Sequence, residues 1–168
     1  MGRSPRMMYH AQSLLQVKGN KVTLIGYHET PLLPALREAA VRVVPLRAFP
    51  QIKGIPKLFL LPFKALWMFF ALLWAFIIVE SADVVLVQNP PAIPVLFVSA
   101  LVCFFRRMRL IIDWHNFGYS IMALSYGFEH PIVRTAKFYE MSCGRLAHSH
   151  FTVTEAMREE LRIKAKIK

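Results

Sequence analysis

The sequence predicts an α/β fold, a Rossmann-like, doubly wound parallel sheet with crossover helices. Three observations predict it. Short runs such as DVVLVQN and RLIID are aliphatic at successive positions, as strands covered on both faces require. Segments of helical length separate these runs, which is the βαβ alternation of a parallel sheet. Polar residues gather where the runs end on their carboxyl side, the rim at which open parallel sheets bind ligands.

The elements follow in order. Ser4 and Pro5 read as an N-cap and first helical residue, and the helix runs to about Lys18 before Gly19-Asn20 stops it. KVTLIGY (21–27) is a strand, PLLPALREAA (31–40) a short helix, and VRVVPL (41–46) a strand nearer an edge because of Pro45. A helix over 56–79 leads to the strand DVVLVQNPP (83–91), which ends in a turn. A helix over 92–105 leads to the strand 109–113. Pro131 opens a helix to 147, with Ile132, Ala136, Tyr139 and Cys143 at helical spacing. HFTVT (150–154) is the last strand. The helix EAMREELRIKAK follows it, with Glu155 and Glu159 near its start and lysines near its end, as the macrodipole favours. The chain has no internal repeat and no low-complexity segment.

Residues 65–79, ALWMFFALLWAFIIV, are more apolar than an ordinary crossover helix. They span about 22 Å as a helix, against a bilayer core of about 30 Å. Extension back to Leu58 gives the length but includes Pro62 and Lys64. Three readings stand: a spanning helix, a helix that dips one face into lipid, and a helix buried against a part of the protein outside these residues. Lys53, Lys57 and Lys64 precede the segment, and Arg106, Arg107 and Arg109 follow the second apolar run. With Trp67 and Trp74, such flanks suit an interfacial position.

Composition narrows the partners. The 168 residues carry 21 Lys+Arg against 10 Asp+Glu, a formal net charge of +11, and 55% are hydrophobic. Basic and apolar together point to a membrane surface or an anionic ligand. No basic run with interleaved aromatics argues for nucleic acid. Cys103 and Cys143 offer neither zinc spacing nor a disulfide framework, and Cys103 reads as a small core residue. His148-Ser149-His150 lacks the further ligands of a metal site. The opening MGRSPRMMYHAQSLL has no apolar core of the signal-peptide kind.

The candidate site residues lie at strand ends. Strand 21–25 runs into Gly26, Tyr27 and His28; strand 83–87 ends at Gln88 and Asn89; strand 109–112 ends at Asp113, Trp114, His115 and Asn116; the last ends at Thr154 and Glu155. Each polar residue alone has a plain structural reading. Asn89-Pro90-Pro91 is a turn, Asn116 and Gly118 shape a loop, and Thr154 caps a helix.

In order along the chain, GRSPRM (2–7), QNPP (88–91), IDWHNFGYSIM (112–122), HP (130–131), KFYE (137–140) and VTEAMREEL (153–161) resemble the amino-terminal half of the chitobiosyldiphosphodolichol β-mannosyltransferase family. The resemblance implies the amino-terminal, acceptor-binding lobe of a two-lobed GT-B glycosyltransferase. It implies inverting transfer of mannose from GDP-mannose to dolichyl-diphosphate chitobiose in N-glycan assembly, on the cytosolic face of the endoplasmic reticulum membrane. It further implies no cofactor and no metal held by an Asp-x-Asp motif, and other glycosyltransferases of the pathway as partners beside the lipid-linked acceptor. Compared with that family, residues 1–168 read as an incomplete domain without the first strand and without the donor lobe. Little or no activity is expected of the chain alone, and a non-catalytic membrane-surface or partner-binding role is the alternative. Gly2, Arg3, Ser4 and Arg6 are expected at the phosphate-bearing side of the acceptor, with Gln88, Asn89, Asn116 and Tyr119 also binding it. His115 is expected to contact sugar or act as base, and Asp113 to act as base or to orient its neighbour. Tyr119 and Glu140 are weaker candidates for the chemistry.

Overall fold

The computed structural model describes residues 5–27, 31–39, 41–52, 54 and 56–167. The chain forms two compact units, Met1–Ile55 and Pro56–Lys168.

In the first unit the order is α1 (Pro5–Gln16), β1 (Thr23–Gly26), α2 (Pro34–Glu38) and β2 (Arg42–Pro45). Helix α1 turns Met8, Ala11 and Leu15 inward, positions that share one helix face. They meet Leu36 of α2 and, from the strand side, Val22, Leu24 and Val41. The helix stops as the sequence predicts: Gly19 takes φ +94°. The Asn20 side-chain amide donates to the Leu14 carbonyl at 3.0 Å, which satisfies one of the helix's orphan acceptors. Strands β1 and β2 are parallel, with Thr23 opposite Arg42 and Gly26 opposite Pro45. Leu46 N donates to Gly26 O at 2.9 Å, so the N–H that Pro45 lacks falls on the side of β2 away from β1.

In the second unit the order is α3 (Lys57–Ile78), β3 (Val84–Asn89), α4 (Val95–Arg106), β4 (Arg109–Trp114), α5 (Gly118–Tyr126), α6 (Pro131–Gly144), β5 (Ser149–Thr152) and α7 (Glu155–Ala165). The strands form a parallel sheet in the order β3-β4-β5. The central strand is buried on both faces: Leu110, Ile112, Asp113 and Trp114 are each 0% exposed. Helix α4 packs on β3 and β4, α7 on β5, and α6 on both α4 and α7. This is the layered α/β arrangement that the alternation implies. Cys103 lies in the buried face of α4, and burial pushes its thiol up to about 11.

Three details differ from the sequence reading. The stretch after IDWHN, read as a loop, contains α5. That helix has no side chain of its own capping its start, so the local signal is missing and the cap comes from elsewhere in the fold. In α6 the buried stripe is Val133, Ala136, Glu140, Met141 and Cys143, whereas Ile132 and Tyr139 are only half-buried. The third concerns the arginine flank. The Arg106 guanidinium turns onto the end of α3, donating to Phe76 O at 2.6 Å and Val79 O at 2.9 Å. It serves as a C-terminal cap rather than a solvated flank.

Helix α3 is apolar on every side. Leu60, Leu72, Ala75 and Phe76 are buried, while Phe59, Phe63, Phe70, Trp74 and Ile77 are each at least 60% exposed. Its segment Leu58–Ile78 is long and apolar enough to cross a membrane, with mean hydropathy 2.0 and 17% of the most apolar window buried. It is therefore not a buried core helix of this unit.

Helix α6 closes on the sheet at Gly144. A Cβ there would come within 2.9 Å of the Trp114 ring. Gly→Ala inside a helix ordinarily stabilises by about 1 kcal/mol. Overpacking a filled core costs about 1–3 kcal/mol, and the fully buried indole has nowhere to go. Gly144→Ala is therefore expected to destabilise the protein by up to about 2 kcal/mol, read as a lower urea midpoint at unchanged slope.

Candidate functional site

The carboxyl ends of β3, β4 and β5 make one rim. The registers put Gln88 beside Asp113, Asn89 beside Trp114, and Trp114 beside Thr152. The chain then turns through His115 and Asn116 into α5. Both of these side chains are exposed, whereas Asp113 is fully buried. His115 is thus open at the rim, whereas Asp113 is covered within the sheet.

Asn89 and Glu140 hold this turn together. The Asn89 carbonyl accepts from the amides of His115 at 2.9 Å and Asn116 at 3.3 Å. Its side-chain amide donates to Asn116 O at 3.1 Å and to Glu140 Oε1 at 2.6 Å. Glu140 Oε1 also accepts from Gly118 N, and Oε2 from Tyr119 N, both at 2.9 Å. The carboxylate thereby caps the start of α5 from across the fold, a favourable place for negative charge. Burial pushes the Glu140 pKa up, while the donors from Asn89, Gly118 and Tyr119 pull it back without cancelling the rise. Gly118 permits the approach: a Cβ there would stand 3.2 Å from Glu140 Oε2 and 3.6 Å from Pro90.

Aromatic packing supports the rim from below. Trp114 Nε1 donates to His150 Nδ1 at 3.0 Å, and the two rings lie 6.2 Å apart. Phe117 stacks on Tyr119 with ring centroids 5.5 Å apart. The Tyr119 hydroxyl donates to Glu160 Oε1 at 2.9 Å, and Lys137 stands over its ring at 5.4 Å. Burial, and then Glu160, raise the Tyr119 pKa, so the phenol stays protonated. Tyr119 also lines a cavity of about 540 Å³ with Arg134, Lys137, Phe138, Arg145 and Lys164. Thr154 accepts from Met157 N at 3.2 Å and caps α7 as its sequence position implies.

The structure therefore brings Gln88, Asn89, Asp113, His115 and Asn116 to one rim, whereas the Tyr119 side chain is buried against Glu160 and Lys137. Arg6 lies in the first turn of α1 in the other unit, half-buried. Gly2, Arg3, Ser4 and His28 lie outside the described residues. Among the described residues no group of three or more His, Cys, Asp or Glu is placed to hold a metal ion. The hub of the arrangement, Glu140, was in the sequence a weaker candidate for the chemistry, and no local signal marked it as the cap of α5.

A family model described as glycosyl transferase 4-like domain matches residues 5–165. The chain is 42% identical over 162 residues to the chitobiosyldiphosphodolichol beta-mannosyltransferase of Mus musculus, covering 96% of this chain and 33% of that protein. It is 40% identical to the Homo sapiens protein of the same name, covering 96% of this chain and 35% of that one. It is 36% identical to the UDP-glycosyltransferase TURAN of Arabidopsis thaliana, covering 96% and 36%. The chain thus spans about a third of the length of the curated relatives it matches. No solved structure matches it.

His150 links folding to pH. Burial holds its pKa below the ordinary 6.5, so folding favours the neutral ring, whose Nδ1 accepts from Trp114. The stabilisation is complete above pH 6.5 and declines as the pH falls below it toward the depressed folded value. Urea unfolding between about pH 7.5 and 5 is expected to lose stability more steeply for the natural chain than for His150→Gln. Equal slopes would show that this histidine is not linked to folding.

Proposed function

The chain belongs to the glycosyl transferase 4-like family, and from that membership we propose that it is the acceptor-side lobe of a β-mannosyltransferase. The proposed reaction transfers mannose from GDP-mannose to dolichyl-diphosphate chitobiose with inversion, in the N-glycan lipid-linked oligosaccharide pathway. Its place is the cytosolic face of the endoplasmic reticulum membrane, and it needs no metal or other cofactor. The observation that carries the proposal is the 42% identity, across 96% of the chain, to a protein of that name.

The rim supports it chemically. An inverting transfer needs a base at the acceptor hydroxyl and stabilisation of the departing nucleotide's charge. His115 is exposed at the strand end and suits base or sugar contact. Asp113 is buried, so orienting its surroundings fits its position better than taking a proton from a bound hydroxyl. Asn116 and Gln88 supply polar groups beside them. Gly2, Arg3, Ser4 and Arg6 remain the proposed contacts of the diphosphate, on the resemblance.

A polyprenyl acceptor requires the protein to work at lipid. Besides α3, α4 exposes Phe104 at 78% and Phe105 at 74%, next to exposed Arg107 and Arg109. Aromatic and cationic side chains at one place suit a headgroup boundary. Among the described side chains of α3 only Leu60 and, near its end, Leu72, Ala75 and Phe76 are buried against protein. On this reading the helix lies in the interface, with its remaining apolar side chains toward lipid. The same surface favours the second reading, a non-catalytic module that binds the membrane or a partner.

Incubation of the purified chain with lipid-linked chitobiose and labelled GDP-mannose separates the readings. Acceptor binding that His115→Ala weakens supports the lobe assignment, and mannose transfer establishes catalysis in this chain. Loss of neither binding nor transfer in His115→Ala removes that residue from the site, and failure to bind the acceptor overturns the proposal. Alkaline extraction of membranes carrying the chain is expected to release it; retention in the pellet would identify α3 as spanning.

A further inference from the structure

We propose that Glu140 and Asn89 act together as positioning residues, which set the segment His115–Tyr119 and so aim the His115 imidazole, without touching substrate themselves. The inference rests on the reading of His115 as the group that meets the ligand; the geometry of the clamp stands apart from it.

Both side chains are 0% exposed, whereas His115 and Asn116 are exposed. Five hydrogen bonds run from the pair to the segment: two amides onto Asn89 O, Asn89 Nδ2 onto Asn116 O, and two amides onto the Glu140 carboxylate. A sixth, between Asn89 Nδ2 and Glu140 Oε1, joins the two clamping residues. The bonds come from two distant elements, β3 and α6, and converge on His115, Asn116, Gly118 and Tyr119. A turn held from both sides in this way has one conformation available to its backbone.

Alternative roles fit less well. A carboxylate offers about four lone-pair sites, and three are taken by N–H donors. With no exposed surface, Glu140 has no route for a proton to or from a bound sugar. The start of α5 resembles an anion site, because helix N-termini attract phosphate. Glu140 already occupies its first two amides, so a phosphate is not bound there. Asn89 keeps its orientation at a cost. Its Oδ1 is buried without a partner among the described residues, which costs about 1–3 kcal/mol. Both acceptors lie on the Nδ2 side, and that decides which way the amide points.

Residue-resolved amide hydrogen exchange on the chain tests this, with Glu140→Gln, Asn89→Ala and the double variant. Glu140→Gln is expected to speed exchange at Gly118 and Tyr119 by about tenfold or more, and Asn89→Ala, which loses the bond to Asn116 O but keeps its main-chain carbonyl, by a smaller factor at His115 and Asn116, while His148 and the β4–β5 ladder stay within about twofold. The double variant is expected to add little to either single change, since both break one clamp. The His115 ring resonance is expected to shift in Asn89→Ala, which a purely structural role elsewhere in the unit would not produce. Unchanged exchange at the four amides overturns the proposal, and so does uniform acceleration throughout the unit. If Glu140→Gln does not fold, Asn89→Ala decides alone, because it leaves the cap on α5 in place. The predicted exchange pattern in a chain that binds no acceptor would sink the functional reading and leave the clamp standing.

Discussion

A carboxylate in the middle of a protein must be satisfied or it will not stay charged. Removing Glu140 from water costs several kcal/mol. Three charge-assisted hydrogen bonds, each contributing about 1.5–3 kcal/mol, roughly offset it. The raised pKa says that burial outweighs the donors. The carboxylate therefore depends on every donor it has. The donors come from the end of β3 and from the first turn of α5, and each would itself be unsatisfied without the carboxylate. One charged group thus binds three pieces of chain and fixes where β4 hands over to α5.

The rest of the rim follows from that junction. With α5 started at Gly118, Phe117 and Tyr119 stack and Trp114 fills the space beneath, against Gly144 of α6. His115 is left outward and Asp113 inward. The same backbone that closes the core therefore presents the exposed imidazole, so stability and site geometry depend on the same residues.

The other side of the unit obeys a different constraint. Helices α3 and α4 meet, and Arg106 ties the end of one to the other. Beyond that contact large aromatic side chains face outward in numbers that water does not favour. Polar residues crowd the carboxyl rim, and apolar ones crowd this surface. The lobe proposed above, holding a sugar acceptor carried on a lipid diphosphate, would use both kinds of surface.

How much of this could be read in the chain itself varies with the range of the interaction. Hydrophobic runs and their spacing determined the strands, most of the helices, their parallel order and the residues at the rim, because those signals are local. QNPP and IDWHN stood at strand ends in the sequence and stand side by side in the fold. Thr154 capped its helix as its position implied. Only the tertiary structure decided that α5 exists, that Glu140 rather than a neighbouring side chain starts it, that Arg106 turns inward, and that Asp113 is covered while His115 is open. Each of those depends on groups far apart along the chain meeting in space, and whether a polar side chain finds water or a distant donor is set by packing.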